Sequence, residues 1–326
     1  MNTIERAPII SIGPRVRKSP FYEATLRAGA EAFTIYNHMF MPTSYGNPNE
    51  EYWSIVNEVS LWDVAAERQV EIIGPDALAL TQLLTPRDVE QCPVNRCRYV
   101  VFVDEDGGII NDAVLYRHSA SHFWLSPGDG DVLLWAKGVA AQSGLKVSVR
   151  EPDASPLQLQ GPLAPRVAHK LFGELAIDMG YYHFHHASLE DIPVVLSRTG
   201  WSGELGYEII LLDKNKGAEL WDLCMKAGAE FNIKPACPSL QRSIEGGMLS
   251  YCSDITLNDN PFTIGMERLL DIDKPHDYIG KRALQKIARN GAERLLVGAN
   301  FGGDPITPNE HFMDIKTGSE IIGHVT

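Results

Sequence analysis

The pattern of apolar and polar positions predicts a chain in which strands and helices alternate. Apolar residues recur at helical spacing in EEYWSIVNEVSLWDV, whereas RQVEIIG is a short apolar run typical of a strand. PDALALTQLLT begins with Pro75 and is predicted as a helix with proline at its first position. YNHMFMPTSYG has neither periodicity and is predicted to be irregular. Further strands are predicted in HFWLSPG, LLVGANF and EIIGHV, and further helices in GDVLLWAKGVAAQSG, GAELWDLCMKAGAEFN and PSLQRSIEGGMLSY.

A strand followed by Gly-Pro and an amphipathic helix occurs twice. Gly74-Pro75 and Gly161-Pro162 mark the two copies, and each copy is followed by further strands. Two related α+β halves predict a ligand-binding cleft where the halves meet. The predicted regions are an N-terminal arm with the start of the first domain (1–50), a first α+β half (51–150), a second α+β half (151–290) and the start of a small C-terminal β domain (291–326).

The stretch RYVVFVDEDGGIINDAVLYRH predicts a β-hairpin. Its apolar runs lie on both sides of Asp-Gly-Gly at 106–108, a strong turn sequence. Asp104 and Asp106 are expected to cap this turn with their side chains. Asp112 lies past the turn among apolar neighbours, which makes a purely local role less fitting for it.

The stretch SRTGWSGELGYEII is interrupted by glycine at every third position, Gly200, Gly203 and Gly206. This spacing differs from the glycine patterns of dinucleotide-binding and phosphate-binding loops. Glu204 and Glu208 would also repel an anion. The stretch is therefore predicted to face a ligand that donates hydrogen bonds.

Composition and charge indicate an ordinary globular protein, and an enzyme that acts on small molecules is the expectation. The chain has 326 residues, of which 44% are hydrophobic and 22% charged. Its net charge of −13 disfavours nucleic acid and anionic membranes as partners, since both select basic surfaces. No apolar run is long enough to span a membrane or to act as a signal peptide. A cytoplasmic location is the expectation.

Cysteines and histidines give little indication of a metal site. The five cysteines include no C-x-x-C pair and are predicted to be buried reduced thiols. In HFHH, His183 and His185 would lie on one face of a strand and His186 on the other. Because no third ligand follows at a recognisable spacing, we expect a polar surface cluster and no metal.

Three stretches, in this order, resemble the glycine-cleavage T-proteins and their folate-dependent relatives. They are YVVFVDEDGGIINDAV, RTGWSGELGYEI and NDNPFTIGMERLLDIDKPHDYIGKRAL. Within the family, YNHM, WDVAAERQVEI, CRYV and LSYCSDITLNDNPF are most similar to the tetrahydrofolate-dependent dimethylsulfoniopropionate demethylases. The resemblance covers residues 15–326. It implies an α+β fold, a three-domain ring around a central folate cavity, with a C-terminal β domain shorter than that of its relatives.

The resemblance also implies roles for five residues. Glu208 would accept two parallel N–H groups from the pterin edge, with Trp201 and Tyr207 offering ring faces for stacking. Tyr99 would line the folate cavity. Asp112 would be the catalytic carboxylate, which stabilises the cation formed by methylation and helps to remove its proton. The alternatives are an exposed edge-strand glutamate for Glu208, a turn-capping aspartate for Asp112 and a core aromatic for Tyr99.

One further residue is a candidate for binding the methyl donor, and two others differ from the family pattern. His38 is a candidate for contacting a carboxylate on the methyl donor, with a satisfied loop histidine as the alternative. Ser239 stands where the T-proteins place a folate-contacting arginine. Arg242 lies one place out of register with the arginine of both branches, which leaves its role open.

The function implied is a tetrahydrofolate-dependent demethylase that moves a methyl group from a small S- or O-methylated acid to tetrahydrofolate. The demethylase-like block at residues 36–72 is predicted to shape the donor side. SGELGYE favours the first alternative, an aminomethyltransferase that would need a lipoyl carrier protein. A non-catalytic folate-binding accessory protein is the second alternative. The demethylase would need no lipoyl protein, metal or redox cofactor.

Overall fold

The computed structural model describes residues 11–300, 302–303 and 312–326. The helices in this part of the chain are α1 (Tyr22–Arg27), α2 (Pro48–Asn57), α3 (Ala77–Leu84), α4 (Val132–Ser143), α5 (Ala164–Phe172), α6 (Glu174–Asp178), α7 (Gly217–Gly228), α8 (Leu240–Gly246) and α9 (Lys281–Asn290). The strands are β1 (Ala32–Tyr36), β2 (Met39–Ser44), β3 (Ser60–Asp63), β4 (Val70–Ile73), β5 (Arg96–Val103), β6 (Ile109–Ser119), β7 (His122–Pro127), β8 (Ser148–Arg150), β9 (Ser155–Gln160), β10 (Phe184–Leu189), β11 (Ile192–Ser197), β12 (Gly206–Leu211), β13 (Lys234–Pro235), β14 (Met313–Thr317) and β15 (Glu320–Val325).

Most elements agree with the hydrophobic pattern, and three predictions are wrong. YNHMFMPTSYG, predicted to be irregular, forms the turn and second strand of the hairpin β1–β2. The helical pattern of EEYWSIVNEVSLWDV ends with α2, and SLWD is strand β3. Residues 295–300 of LLVGANF contain no strand. Residues 1–10 of the predicted arm, and 301 and 304–311 of the predicted C-terminal region, lie outside the described residues.

The strands form two main sheets, and each sheet contains one copy of the strand, Gly-Pro and helix sequence. The six-stranded sheet has the order β10-β11-β12-β9-β3-β13, and the five-stranded sheet has the order β5-β6-β7-β4-β8. Gly74-Pro75 joins β4 to α3, and Gly161-Pro162 joins β9 to α5, as the sequence predicts. Strand β3 pairs antiparallel with β9 and so belongs to the sheet of the second half. The regional boundaries stay a prediction.

A cluster of apolar side chains lies between the two sheets. It comprises Cys97, Tyr116 and Trp124 from the five-stranded sheet, with Phe184, Val195 and Ile210 from the six-stranded sheet. The Tyr116 and Phe184 rings meet edge to face, with their centroids 5.2 Å apart. Because side chains alternate along a strand, every second residue of β6 and β12 points into this interface.

The hairpin β5–β6 forms at the predicted turn. Oδ1 of Asp104 accepts hydrogen bonds from the backbone N–H groups of Asp106 and Gly108, at 3.0 and 2.8 Å. Asp104 therefore caps the turn, which confirms the local role expected for it. Asp112 lies beyond the turn, opposite Val101 in the ladder.

All five cysteines are free, and Cys92, Cys97, Cys224 and Cys237 are buried. Cys252 is exposed, so the prediction of burial is wrong for this residue. None of the helices within the described ranges combines the length and apolar character required to cross a membrane.

Candidate active site

Glu208 lies buried on β12 at the interface between the sheets, with 4% of its surface exposed. Its Oε2 accepts hydrogen bonds from Tyr116 Oη at 2.6 Å and Thr199 Oγ1 at 2.7 Å. Its Oε1 accepts a hydrogen bond from Gln158 Nε2 at 2.9 Å. Burial raises the pKa of Glu208, while these three hydrogen bonds act to lower it. Since Tyr116 belongs to the other sheet, this carboxylate joins the two halves.

Asp112 lies on β6, four residues before Tyr116 and on the same face of the strand. Its Oδ2 accepts a hydrogen bond from Tyr99 Oη at 2.8 Å. Burial raises the pKa of Asp112 to about 6, and the hydrogen bond from Tyr99 opposes this rise. Burial also raises the pKa of Tyr99, and the charge of Asp112 adds to the effect. The phenol therefore remains a donor, and the carboxylate is ionised above a pH of about 6.

Glu67 is a third carboxylate of this site, which the sequence interpretation did not single out. Its Oε1 lies 3.5 Å from Gln158 Nε2, the same amide nitrogen that donates to Glu208. Burial raises the pKa of Glu67 well above its ordinary value, and the charges of Glu208 and Asp112 raise it further. Glu67 is thus within electrostatic reach of both predicted functional carboxylates.

Tyr36, at the end of β1, also belongs to this site. A Cβ atom built on Gly128 would lie 3.5 Å from Tyr36 Oη and 3.5 Å from Asp112 Oδ1. Both oxygens therefore lie beside Gly128, as does Oδ1 of Asn111, which would be 3.1 Å from the same Cβ atom. Burial raises the pKa of Tyr36, and the charges of Glu67 and Asp112 contribute. The block at residues 36–72 thus supplies both Tyr36 and Glu67 to the surroundings of Asp112.

The three carboxylates have neutral hydrogen-bond partners. Within the described residues, no ion pair joins Glu67, Asp112 or Glu208 to a lysine, arginine or histidine. Elsewhere the buried Glu71 is paired with Arg150 at 2.5 Å, as is usual for a charge removed from water. A ligand that brings N–H donors or positive charge would favour the ionised form of these carboxyl groups.

The glycines of 200–206 make room for protein side chains. A Cβ atom on Gly200 or Gly206 would lie within 2.3 Å of a terminal atom of the Gln160 amide. A Cβ atom on Gly203 would lie 3.2 Å from Arg242 Nη2. Packing therefore requires glycine at positions 200 and 206, because the buried Gln160 side chain occupies the space that a side chain there would need.

Arg242 fixes the loop that contains these glycines. From helix α8 it donates to Glu204 Oε1 at 2.8 Å and to the Ser202 carbonyl at 3.3 Å. It also pairs with Glu245 at 2.5 Å. Ser239 is the N-cap of α8, where its hydroxyl accepts a hydrogen bond from the Arg242 backbone N–H. These contacts give the register-shifted arginine a structural role.

The structure separates Tyr207 from Glu208. Tyr207 is 2% exposed, its hydroxyl donates to the Ala176 carbonyl at 3.0 Å, and it lies in the core on the other face of β12. This placement gives it no face beside the carboxylate, because neighbouring strand residues point in opposite directions. Trp201 is half-buried, and its backbone N–H lies 3.4 Å from Gln158 Oε1, close to Glu208.

His38 lies in the turn between β1 and β2. Its side chain is 65% exposed, and its Nε2 lies 3.8 Å from Asp131 Oδ1. It borders a cavity of ≈ 190 Å³ together with Arg68, Gln69 and Glu151. A role for His38 on the donor side stays a prediction.

One histidine of HFHH, His186, contacts a histidine of strand β6. Nδ1 of His118 lies 3.0 Å from Nε2 of His186. Burial, with the neighbouring His122 and His186, lowers the pKa of His118 to about 3 and keeps it neutral. Within the described residues, no group of three or more potential ligand side chains is placed to hold a metal ion.

Two sequence patterns could have identified the missed partners. Tyr116 follows Asp112 by four residues in a predicted strand, so both side chains share a face. Gln158 and Gln160 alternate with leucines in PLQLQ, which indicates a polar position on an otherwise buried strand. Glu67 had no such pattern, because it lies in the connection between β3 and β4.

Comparison with known proteins identifies the family. A family model described as "GCVT N-terminal domain" matches residues 21–274. A dimethylsulfoniopropionate demethylase of Ruegeria pomeroyi is 37% identical over 95% of this chain and 85% of its own length. The chain belongs to the glycine-cleavage T-protein family.

Two further T-protein relatives agree with this assignment. An aminomethyltransferase of Desulfitobacterium hafniense is 29% identical over 95% of this chain and 85% of its own length. The solved structure of aminomethyltransferase T of Bartonella henselae superposes with a TM-score of 0.76 at 20% identity, covering 86% of this chain and 77% of that one. The α+β T-protein fold predicted from the sequence is confirmed.

Proposed function

We propose that this protein is a tetrahydrofolate-dependent demethylase, which takes a methyl group from a small S- or O-methylated acid and forms 5-methyltetrahydrofolate. The observation that carries the proposal is the group of three carboxylates, the half-buried Glu67 and Asp112 and the buried Glu208, which have only neutral hydrogen-bond partners among the described residues. Such a site suits ligands that donate N–H groups or carry positive charge. A sulfonium acid of the dimethylsulfoniopropionate type is the first donor to test, given the similarity to the Ruegeria demethylase.

The acceptors around Glu208 fit a pterin. Oε1 of Glu208 accepts one hydrogen bond in the structure, which leaves it capacity for another. Glu67 adds further acceptor capacity on the other side of Gln158. When bound, tetrahydrofolate supplies the nitrogen that receives the methyl group. Glu208 and Glu67 would orient the pterin ring by accepting hydrogen bonds from its N–H groups. The half-buried Trp201 would border the ring.

Asp112 has the protonation state that the reaction requires. Its pKa of about 6 makes it a carboxylate at neutral pH, and Tyr99 fixes its orientation through Oδ2. A carboxylate near a developing cation stabilises the charge and accepts the proton that is released. The hydrogen bond from Tyr99 would hold Oδ1 toward the space beside Gly128.

The aminomethyltransferase alternative rests on the sequence SGELGYE and on relatives of lower identity. Glu204 of that stretch accepts a hydrogen bond from Arg242 and so stabilises the loop. Its presence therefore does not distinguish an aminomethyltransferase from a demethylase. A folate-binding accessory protein would have no need of Asp112 as a base. The demethylase is therefore preferred to both.

A donor panel with product identification tests the proposal. The protein is incubated with tetrahydrofolate and, separately, with sulfonium, methylamine and methoxybenzoate donors. The expected product is 5-methyltetrahydrofolate from a sulfonium or methoxy acid. Formation of 5,10-methylenetetrahydrofolate, seen only with an aminomethyl-lipoyl carrier protein, would establish the aminomethyltransferase instead. Folate binding without turnover of any donor would support the accessory protein.

A further inference from the structure

We infer that Asn37 is a positioning residue for the proposed methyl transfer, because its side chain fixes the segment 128–130 beside Asp112. The inference rests on the proposed function and adds to it a residue of the demethylase-like block. Asn37 is buried in the turn between β1 and β2, directly after Tyr36. Its role would be to keep the backbone of Gly128 at a fixed distance from Oδ1 of Asp112.

The Asn37 side chain joins three segments of the chain. Its Nδ2 donates to the carbonyl oxygens of Ala66 and Gly128, each at 3.0 Å. Its Oδ1 accepts a hydrogen bond from the Gly130 backbone N–H at 2.8 Å. Because the partners are two carbonyls and one N–H group, only this orientation of the amide satisfies all three. One side chain thereby links the β1–β2 turn, the β3–β4 connection and the segment after β7.

The turn alone does not require the Asn37 amide. Tyr36 pairs with Met39, so Asn37 and His38 form a two-residue hairpin loop, in which their φ angles are 47° and 61°. Such a loop favours asparagine or glycine at its first position. Glycine would therefore satisfy the turn, whereas the contacts with the two distant segments need the amide. Asn37→Gly separates these two roles.

The segment that Asn37 holds lies beside Oδ1 of Asp112, whereas Tyr99 donates to Oδ2. The Gly128 backbone N–H donates to the Asp112 carbonyl at 3.3 Å, and a Cβ atom on Gly128 would lie 3.5 Å from Oδ1. The buried Asn111 holds the same segment, since its Nδ2 donates to the next carbonyl at 2.8 Å. Two neutral amides thus set the position of Gly128 without adding a charge beside the carboxylate.

The test compares turnover with tetrahydrofolate binding in Asn37→Gly. The donor is dimethylsulfoniopropionate or a methoxybenzoate, whichever the wild type demethylates. We expect kcat to fall about tenfold or more, since a small displacement near a reacting group is costly. Tetrahydrofolate affinity, measured by calorimetry, should stay close to that of the wild type, because Glu208 is unchanged. Amide hydrogen exchange at Gly130 should become faster, because its N–H loses the Asn37 oxygen.

The pH dependence of kcat separates positioning from a loss of folded protein. In Asn37→Gly a looser segment admits water beside Asp112, which reduces the effect of burial on its pKa. The acid limb of the pH–rate profile should therefore move to lower pH. A constant unfolded fraction would lower kcat at every pH without moving the limb. The other titratable groups around Asp112 and the segment are unchanged in the variant: Tyr36, Glu67, Tyr99 and Asp129.

Asn95→Gly is the matched control. Asn95 is exposed, has a φ of 62° and hydrogen-bonds to Arg117 and Phe184 through its backbone, so its variant should keep wild-type kinetics. Wild-type kcat in folded Asn37→Gly, as judged by circular dichroism, overturns the inference. A lower kcat with the acid limb and the Gly130 exchange unchanged overturns it as well.

A second variant covers the case in which Asn37→Gly does not fold. Asn37→Asp keeps the turn and the acceptor for Gly130 but removes both N–H donors, and the same loss of kcat is expected. Failure of both variants to fold would assign Asn37 to folding alone and reject the inference. A wild-type protein that transfers no methyl group from any donor would refute the proposed function. Normal kinetics of the variant beside an active wild type refutes only the role of Asn37.

Discussion

Tyr99 donates a hydrogen bond of 2.8 Å to Oδ2 of Asp112 across the neighbouring strands β5 and β6. This contact orients the carboxylate and lowers its pKa against the effect of burial. The two residues therefore act as a unit, in which the phenol fixes the direction of the carboxylate and opposes the rise in its pKa.

Asp112→Asn should reduce kcat about 100-fold or more, because the amide neither carries the charge nor accepts the proton. Tetrahydrofolate affinity should remain close to that of the wild type. Steady-state kinetics and calorimetry measure the two effects. Turnover within a few-fold of the wild-type rate would mean that Asp112 is structural.

Thermal unfolding provides a control for Asp112→Asn. The pKa of Asp112 is raised from 3.8 to about 6, so its ionisation opposes folding as the pH rises through this range. The favourable contribution is present below a pH of about 4 and is lost by a pH above about 6. Asparagine cannot ionise, so the Tm of the variant at pH 8 should be no lower than that of the wild type.

Tyr99→Phe should shift the pH dependence of turnover. Wild-type activity is expected to rise as the pH passes through about 6, where Asp112 becomes ionised. Without the Tyr99 hydrogen bond, which lowers this pKa, the pKa of Asp112 rises and the acid limb moves to higher pH. A pH–rate profile of kcat tests this. An acid limb at the wild-type position would show that another group titrates.

Glu208→Gln should weaken tetrahydrofolate binding by about 2–3 kcal/mol, because a charged acceptor is lost and an amide donor faces N–H groups. Titration calorimetry measures the change. Glu204→Gln is the matched control, since Glu204 belongs to the same stretch but pairs with Arg242. Unchanged affinity in folded Glu208→Gln would remove this residue from the folate site.

Gly206→Ala should destabilise the protein by about 1–3 kcal/mol, through overpacking against the buried Gln160 amide. Combining it with Gln160→Ala should recover part of this loss, because the added methyl group then has space. Denaturant unfolding of the single and double variants measures the coupling. Gly138→Ala is the control, since no atom lies within 4 Å of its added Cβ and the helix α4 should tolerate it. Additive effects of Gly206→Ala and Gln160→Ala would contradict the packing explanation.

The sequence by itself determined the features that depend on neighbours along the chain. The β5–β6 turn follows from Asp104 and the glycines after it, which satisfy one another's hydrogen bonds within five residues. The Gly-Pro helix starts are local in the same way. The family resemblance, carried by ordered motifs, correctly indicated the T-protein fold, and Glu208 lies at the sheet interface where a ligand was expected.

Tertiary structure alone decided which residues share the site. Glu67, Tyr116 and Gln158 lie on elements far apart in sequence. Gln158 is opposite Glu208 in the β9–β12 ladder, Tyr116 reaches Glu208 from the facing sheet, and Glu67 lies beside Gln158. Side chains alternate between the two faces of a strand, but the sequence does not show which face of β12 carries Tyr207. In the folded sheet, Tyr207 points into the core. The glycines of 200–206 could not be explained locally, because the side chain that requires them, Gln160, reaches them only across the β9–β12 ladder.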